Sequence, residues 1–281
     1  MVAKIGIIGY GIVGSAIAET FKDSCEIYIY DKYKFYSSLK NVCEESEFIF
    51  ICLPTPIKQG KIDLSIIEEN ISDVVKYTNN TNKIVIIKST IVPGTTINIE
   101  KKYPHTLWSF NPEFLRESTY LEDAVNPDRI VIGSSNAQVS LRLLDLYTKR
   151  FPGVKIFRTD PTTAEIVKYT ANCLLATIVL HNNIMFDICQ SLDLSWEEVA
   201  SMVKEDRRLH SLQGYFQVTS QRGWGGKCFF KDCSALIGRA KELKVDVSFI
   251  EKMINENLRI RKIKDWEDIP WAVSKKDEKD K

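Results

Sequence analysis

A glycine-rich turn near the N-terminus constrains the fold of this chain more than any other feature. It separates a predicted strand from a predicted helix and has the sequence Gly9-Tyr10-Gly11-Ile12-Val13-Gly14. A second predicted strand follows and ends in Asp31. A GxGxxG motif alone is weak evidence, but in this context it predicts a βαβ unit that binds a dinucleotide. The glycines allow the pyrophosphate to approach, and the carboxylate bonds the ribose hydroxyls.

The carboxylate of Asp31 also favours one of the two nicotinamide cofactors. It would repel a phosphate on the ribose 2′ position, so we expect NAD rather than NADP. Lys32 and Lys34 follow closely in the sequence and weaken that preference. A glycine turn without a function is the alternative for the whole motif.

Strand and helix patterns alternate from the N-terminus to about residue 158. Short apolar segments typical of strands lie at residues 4–8, 26–30, 48–53, 83–88, 107–110, 128–133 and 154–157. Such alternation predicts an α/β fold, in which residues 1–158 form a Rossmann domain with a doubly wound parallel sheet.

From residue 161 onward the patterns are helical only. Residues 161–192 predict one long helix, with Asp160 as its cap and a proline at its first position. We expect residues 159–264 to form an all-helical central domain and residues 265–281 to form a charged tail. Helices of this length are unusual in small domains and often span a subunit interface, so a homodimer through this helix is expected.

Composition limits the compartment and the partners. Charged residues make up 27% of the chain and the formal net charge is +1, so neither nucleic acid nor an anionic membrane is favoured as a partner. The apolar run at residues 171–180 is too short to cross a bilayer, and the N-terminus has no signal-peptide pattern. The seven cysteines lack CxxC spacing, which argues against a disulfide framework or a zinc site. We expect a cytoplasmic protein that uses no metal.

The segment GWGGKCFFKD at residues 223–232 carries the candidate nucleophile, Cys228. Three glycines precede it and allow the backbone to approach a ligand. A helix is predicted to follow, from about Lys231 to Leu243. Its N-terminus and the ammonium of Lys231 both favour a thiolate. The carboxylate of Asp232 is suited to hold a water or move a proton. A small buried hydrophobic residue is the commoner role of a single cysteine and stays open as the alternative.

Further polar residues lie where the patterns predict strand ends and a helix face. The loop Pro54-Thr55-Pro56 follows one buried strand and the pair Ser89-Thr90 follows another. Parallel sheets bind their ligands at this edge, although ordinary turn residues look the same. Lys168 and Asn172 are four residues apart on the long helix and therefore share a face, unless the lysine is simply exposed.

Taken in this order, the motifs resemble the UDP-glucose/GDP-mannose 6-dehydrogenase family over residues 4–261. The motifs that carry the resemblance are the GxGxxG turn, Pro54-Thr-Pro56, Lys88-Ser-Thr90, NPEFLRE at residues 111–117, PDRIVIG at 127–133, AEIVKYTAN at 164–172, DRR at 206–208 and GGKCFFKD at 225–232. The resemblance implies NAD-dependent oxidation of a nucleotide-sugar C6 alcohol to the uronic acid. UDP-glucose is the first candidate substrate, and a thiohemiacetal and a thioester on Cys228 are the implied intermediates.

The resemblance also implies a role for each matching residue. The implied catalytic residues are the nucleophile Cys228, Lys168 and Asn172 at the oxyanion, Glu113 for thioester hydrolysis, and Thr90 and Asp232 at the catalytic water. The implied NAD contacts are Gly9, Tyr10, Gly11, Ile12, Val13, Gly14, Asp31, Pro54, Thr55, Ser89, Thr90, Glu117 and Lys231. The implied substrate contacts are Glu113, Phe114, Leu115, Lys168, Asn172, Gly223, Trp224, Gly225 and, in the neighbouring subunit, Arg208.

The chain departs from the family in one large respect. Family members continue into a third domain that grips the nucleotide, whereas this sequence stops where that domain would begin, so a separate chain is a candidate partner to supply it. Two other functions stay open. One is a non-catalytic module that binds NAD or dimerises, and the other is a hydroxyacid dehydrogenase, which needs no cysteine.

Overall fold

The structure, a computed structural model, describes residues 2–58, 60–226 and 228–267. It divides into two compact units. Unit 1 consists of Met1–Thr55 and Asp63–Lys168, and unit 2 of Pro56–Ile62 and Tyr169–Lys281.

The secondary structure follows the predicted order. The strands are β1 (Ala3–Ile8), β2 (Cys25–Tyr30), β3 (Phe48–Ile51), β4 (Ile57–Lys58), β5 (Lys61–Ile62), β6 (Ile84–Ile87), β7 (Leu107–Phe110), β8 (Arg129–Gly133) and β9 (Lys155–Thr159). The helices are α1 (Ile12–Phe21), α2 (Leu39–Glu45), α3 (Ser65–Thr78), α4 (Thr95–Lys102), α5 (Tyr120–Val125), α6 (Ala137–Arg150), α7 (Pro161–Ser191), α8 (Trp196–Lys204), α9 (Cys228–Glu242) and α10 (Ser248–Ile260). The short helices α2, α4 and α5 had no recognised sequence pattern.

Unit 1 is built on a seven-stranded sheet in the order β2-β1-β3-β6-β7-β8-β9. The central strands are short apolar runs such as Phe48–Ile51, which is buried along its whole length. Helices cover both faces. Ile17 of α1 and Leu143 of α6 belong to one apolar layer, while Ile71 of α3 and Ala164 of α7 belong to the other. The predicted Rossmann fold is confirmed.

The last two strands differ in direction from the prediction. β1, β2, β3, β6 and β7 are parallel, whereas β8 pairs antiparallel with β7 and parallel with β9. The pairing of Phe110 with Gly133 makes β8 run beside the segment that follows β7. Asn111 in that segment donates through Nδ2 to the carbonyl of Val131 at 2.6 Å. Because β8 is antiparallel to β7, it runs beside residues 111–114 and holds them in place. The alternation of strand and helix patterns does not reveal the direction of β8.

Unit 2 contains α8, α9, α10, most of α7 and the hairpin of β4 and β5. The prolines at 54 and 56 predicted only an extended loop here. The hairpin lies against α9, where Gly238 leaves room for the carbonyl of Gly60. Lys61 and Glu242 form an ion pair of 2.9 Å between the hairpin and the end of α9.

The long helix α7 has 31 residues and begins where it was predicted to begin. Asp160 accepts a hydrogen bond of 2.9 Å from the backbone N–H of Thr163, which confirms the predicted cap. By length and composition α7 would be able to cross a membrane, with a mean hydropathy of 1.3 over 18 residues. The core helix of a globular protein can have the same length and composition, and 44% of these 18 residues are buried here, so length and composition are weak evidence for a span.

The end of the described chain also differs from the prediction. Residues 265–281 were expected to form a charged tail, but residues 265–267 form a 3₁₀ turn in which Trp266 is 1% exposed. Residues 268–281 lie outside the described part of the structure.

Candidate active site

The glycine turn after β1 has two glycines required by packing and one that leaves space. Gly9 has φ of +91°, and a Cβ on Gly14 would lie 2.0 Å from the carbonyl oxygen of Gly9. A Cβ on Gly11, by contrast, would meet no atom within 4 Å. Gly11 also precedes the first turn of α1, whose backbone N–H groups favour an anion. The turn therefore fits a pyrophosphate at Gly11 and the start of α1.

Asp31 is fixed at the end of β2 by backbone donors. Its Oδ2 accepts from the N–H of Tyr10 at 2.7 Å, and its Oδ1 accepts from the N–H of Tyr33 at 2.9 Å. Each carboxylate oxygen keeps a further lone pair that can accept from a ribose hydroxyl. Lys34 donates to the carbonyl of Tyr10 at 2.8 Å, so its ammonium is held at the backbone of the turn.

The hydroxyls at the other strand ends bond to the chain itself. Ser89 accepts from the N–H of Leu53 at 2.8 Å, and Thr55 donates to the carbonyl of Thr90 at 2.8 Å. Ser89 and Thr55 are both buried. In unit 1 these side chains join the two loops at the sheet edge, which fixes the backbone of Pro54 and Thr90.

Glu113 pairs with the buried Lys88, for which the sequence predicted no role. Nζ of Lys88 lies 2.9 Å from Oε2 of Glu113, and Lys88 is 6% exposed. Lys88 also donates to Oδ1 of Asn111 at 3.1 Å, and the N–H of Phe114 donates to Oε1 of Glu113 at 2.8 Å. Both carboxylate oxygens of Glu113 are therefore held in place. The sequence did offer one signal for this pair, a lysine directly after a buried apolar strand.

Asn111 joins this network to α6. The hydroxyl of Tyr147 donates to Oδ1 of Asn111 at 2.5 Å. Burial raises the pKa of Tyr147 well above its ordinary value, with a smaller contribution from the charge of Glu113. Tyr147 consequently stays protonated and remains a donor at neutral pH. Nothing in the spacing of the sequence indicated this contact.

Lys168 extends toward the same segment from α7. It is 7% exposed, which excludes the alternative of an exposed lysine. Its ammonium donates to the backbone carbonyl of Glu113 and lies 5.6 Å from the centre of the Phe114 ring. Arg129 lies over the same ring at 4.1 Å. Of the remaining predicted residues in this segment, Leu115 is half-buried and Glu117 is exposed.

In unit 2 two of the predicted residues, Asn172 and Lys231, bond to Asp232. Its Oδ2 accepts from Nδ2 of Asn172 at 2.5 Å, and its Oδ1 lies 2.6 Å from Nζ of Lys231. Asp232 is 1% exposed. Cys228 is the first residue of α9, three residues before the predicted helix start, and it is partly exposed. Since Cys228 and Asp232 are four residues apart in α9, they share a face of that helix.

The environment of Cys228 differs from that of a structural cysteine. Cys43, for comparison, is fully buried, and burial raises the pKa of its thiol to about 12. A partly exposed thiol at a helix N-terminus is the arrangement in which thiolates form readily. The role of a small buried hydrophobic residue therefore describes Cys43 but does not describe Cys228.

Two of the predicted substrate regions are occupied by contacts within the chain. Trp224 is 3% exposed, and the glycines on either side of it lie against side chains of α10 and residue 261. Arg208 is the second residue of the 3₁₀ segment Arg207–Tyr215, and its guanidinium pairs with the Asp206 carboxylate at 2.5 Å. The Arg208 guanidinium lowers the pKa of Asp206 to about 2. The Arg208 side chain is 87% exposed and accessible to a partner.

Comparison with known families matches both units. Residues 25–151 match the NAD binding domain of the UDP-glucose/GDP-mannose dehydrogenase family, and residues 162–259 match its central domain. UDP-glucose 6-dehydrogenase of Rickettsia typhi is 33% identical over 233 residues, which cover 81% of this chain and 52% of that protein. GDP-mannose 6-dehydrogenase of Pseudomonas syringae is 31% identical over 225 residues, covering 75% and 50%. The chain spans about half the length of the curated relatives it matches.

Solved structures show the same fold. A UDP-glucose dehydrogenase from Pyrobaculum islandicum superposes with a TM-score of 0.82 at 25% identity, covering 92% of this chain and 68% of that one. A 3-hydroxyisobutyrate dehydrogenase from Mycobacterium tuberculosis superposes with a TM-score of 0.71 at 14% identity, covering 92% and 94%. The second likeness concerns the fold alone.

Proposed function

Because this chain belongs to the UDP-glucose/GDP-mannose dehydrogenase family and carries its NAD-binding and central domains, we propose that it oxidises the C6 alcohol of a nucleotide sugar to a uronic acid. UDP-glucose is the first candidate substrate. The observation that carries the proposal is the position of Cys228 in the first turn of α9, one helical turn before an Asp232 carboxylate that bonds Asn172. A hydroxyacid dehydrogenase needs no cysteine, so that function does not account for this arrangement.

NAD, when bound, would take up one hydride, so the two oxidations would consume two NAD molecules in succession. Gly11, the start of α1 and Asp31 are the residues that would hold its pyrophosphate and ribose. The first oxidation turns the alcohol into an aldehyde. The thiolate of Cys228 then adds to the aldehyde carbon, and the carbonyl oxygen becomes an oxyanion. Loss of the second hydride converts this thiohemiacetal into a thioester.

Two donors on α7 are proposed to stabilise the oxyanion. Lys168 supplies a charged donor and Asn172 a neutral one, and they lie one helical turn apart. Asn172 uses one amide N–H for Asp232 and retains a second to donate. Loss of one donor of this kind typically costs about 2.7–4 kcal/mol in the transition state.

Glu113 is proposed to act in the hydrolysis of the thioester. Its carboxylate takes a proton from the attacking water, the acid is released, and the Cys228 thiol is restored. The bonds from Lys88 and from the N–H of Phe114 fix the carboxylate in one orientation. In this proposal Thr90 and Asp232 hold the water.

The proposed assembly is a cytoplasmic homodimer formed through α7. Leu174, Ile184 and Ile188 of that helix are 57%, 45% and 45% exposed, which supports burial against a second copy. Arg208 would then reach the nucleotide of the neighbouring subunit.

The test is the stoichiometry of NADH formation. The protein is incubated with NAD and, in turn, with UDP-glucose and GDP-mannose, while NADH is followed by absorbance and the sugar acid by chromatography. The proposal predicts two NADH for each sugar consumed. One NADH per turnover of a small hydroxyacid would support the hydroxyacid dehydrogenase. Binding of NAD without turnover of any nucleotide sugar would support the non-catalytic module.

A further inference from the structure

The loop before Cys228, residues 222–226, is held from two helices of unit 2. Asn183 of α7 accepts from the N–H of Gly223 at 2.9 Å and from Nε of Arg222 at 2.9 Å. Asn257 of α10 is fully buried. Its Oδ1 accepts from the N–H of Trp224 at 2.9 Å, and its Nδ2 donates to the carbonyl of Trp224 at 3.0 Å. These contacts fix the middle of the loop.

The chain that follows α10 closes around the ends of the same loop. Arg261 donates to the carbonyl of Arg222 at 3.0 Å and to Oδ2 of Asp265 at 3.0 Å. Oδ2 of Asp265 also accepts from the N–H of Gly226 at 3.2 Å. One ion pair therefore bonds the first and the last residue of the loop.

Trp266 connects this segment to the first turn of α9. Its ring stacks on Phe230, with 4.9 Å between the centres and 8° between the planes. Its centre also lies 6.2 Å from that of Trp224. Phe230 is two residues after Cys228, so the indole packs against the helical turn that carries the thiol. Stacked aromatic pairs of this kind contribute about 0.5–1.5 kcal/mol beyond the area that they bury.

These contacts account for two of the glycines. A Cβ on Gly223, whose φ is +52°, would lie 2.3 Å from Oδ1 of Asn257. A Cβ on Gly225 would lie 2.1 Å from the guanidinium of Arg261 and 2.6 Å from Asp265. The sequence predicted that these glycines allow a ligand to approach. In the structure Gly223 also leaves room for Asn257 of α10, and Gly225 leaves room for the segment that follows α10.

We propose that Arg261, Asp265 and Trp266 are positioning residues for Cys228, and that residues 261–267 hold the loop and the first turn of α9 in the geometry that the thiol requires. This segment lies beyond residue 259, where the match to the central domain ends. The effect of this segment on turnover rests on the proposed function. Its effect on the reactivity of the Cys228 thiol does not depend on the proposed function.

The experiment measures alkylation of Cys228 by iodoacetamide as a function of pH in the full chain, with peptide mass spectrometry to follow this one cysteine. The variants are Trp266→Leu, Trp266→Phe and Asp265→Ala. Glu267→Gln is the matched control, because Glu267 is exposed in the same 3₁₀ turn. Circular dichroism and urea denaturation report whether each variant is folded.

The proposal predicts that Trp266→Leu and Asp265→Ala move the alkylation profile to higher pH and slow alkylation at neutral pH about tenfold, because the thiol leaves the helix N-terminus. Trp266→Phe keeps a stacked ring and should retain most of the wild-type profile, and Glu267→Gln should match it. Profiles of Trp266→Leu and Asp265→Ala that coincide with wild type would overturn the proposal. In an active protein, kcat should fall in these two variants. Absence of turnover in wild type leaves the alkylation result valid.

Discussion

The side-chain amide of Asn172 donates a 2.5 Å hydrogen bond to the carboxylate of Asp232, which joins α7 to α9 one helical turn from Cys228. Asp232 is 1% exposed, and its other oxygen is paired with Lys231 at 2.6 Å. A buried carboxylate persists only when it is paired and hydrogen-bonded. Asp232 thus orients an amide that is proposed to act on the substrate while it balances a buried ammonium.

Removal of the Asp232 carboxylate should leave Lys231 as a buried charge without a counterion. We expect Asp232→Ala to lower the free energy of unfolding by about 3–5 kcal/mol, measured by urea denaturation. The double variant Asp232→Leu with Lys231→Met removes both charges and should recover most of that loss. Equal stability of Asp232→Ala and wild type would show that the pair is not structurally important.

The glycine turn offers a matched pair of variants. Gly14→Ala places a methyl group 2.0 Å from the backbone oxygen of Gly9, so we expect it to destabilise unit 1. Gly11→Ala meets no atom within 4 Å and should leave the free energy of unfolding nearly unchanged. Its methyl group fills the space assigned to the pyrophosphate, so the Kd for NAD should rise at least about tenfold, or about 1.4 kcal/mol. Calorimetric titration with NAD measures this. An unchanged Kd for Gly11→Ala would place the cofactor elsewhere.

The cap of α7 makes a pH-dependent contribution to stability. Hydrogen bonds from the hydroxyl and the N–H of Thr163 lower the pKa of Asp160 below its ordinary value of 3.8. Because the folded state favours the ionised form, the contribution is complete above pH 3.8 and is lost as pH falls through the lowered pKa. Asp160→Ala should cost about 1 kcal/mol at neutral pH.

The check is the difference in unfolding free energy between wild type and Asp160→Ala, followed downward from neutral pH. This difference should shrink below pH 3.8. Asp160→Asn retains an acceptor for the backbone N–H and serves as the control, with a smaller loss and little pH dependence. A difference between wild type and Asp160→Ala that stays constant with pH would argue against the cap.

The ion pair of Lys88 and Glu113 should be detectable by a double-mutant cycle. Lys88→Met leaves the Glu113 carboxylate, 17% exposed, without its cation, and we expect a loss of about 3 kcal/mol. In a Glu113→Gln background the same lysine substitution should cost clearly less, since no charge is left unpaired. Lys101→Met, on an exposed position of α4, is the control. Additive effects of Lys88→Met and Glu113→Gln would contradict the coupling.

The sequence predicted those parts of the molecule whose local sequence pattern is enough to indicate their role in the fold. The turn from Gly9 to Gly14 was recognisable because the periodicity changes from strand to helix across it. Asp160 was recognisable because it directly precedes Pro161 and a long apolar pattern. For Cys228, the adjacent glycines and helix start were sufficient to single out the residue, although the structure starts α9 three residues earlier than predicted.

Features that depend on contacts distant in sequence were missed. The direction of β8 is set by its pairing beside residues 111–114, which leaves no trace in the periodicity of the strand. Lys88 and Tyr147 reach Asn111 from positions 23 and 36 residues away. Trp266 lies in a charged stretch of sequence, so composition assigned it to a tail. Its burial requires Phe230 and Trp224, which only the fold brings beside it.

The most direct test of the central claim is a search for an acyl group on Cys228. Glu113→Gln is proposed to slow hydrolysis of the thioester, so this variant is incubated with NAD and UDP-glucose, digested and analysed by mass spectrometry. The account predicts that the peptide containing Cys228 gains the mass of the nucleotide-uronyl group, that hydroxylamine removes it, and that Cys228→Ala acquires none. NADH formation with an unmodified Cys228 throughout the time course would contradict it.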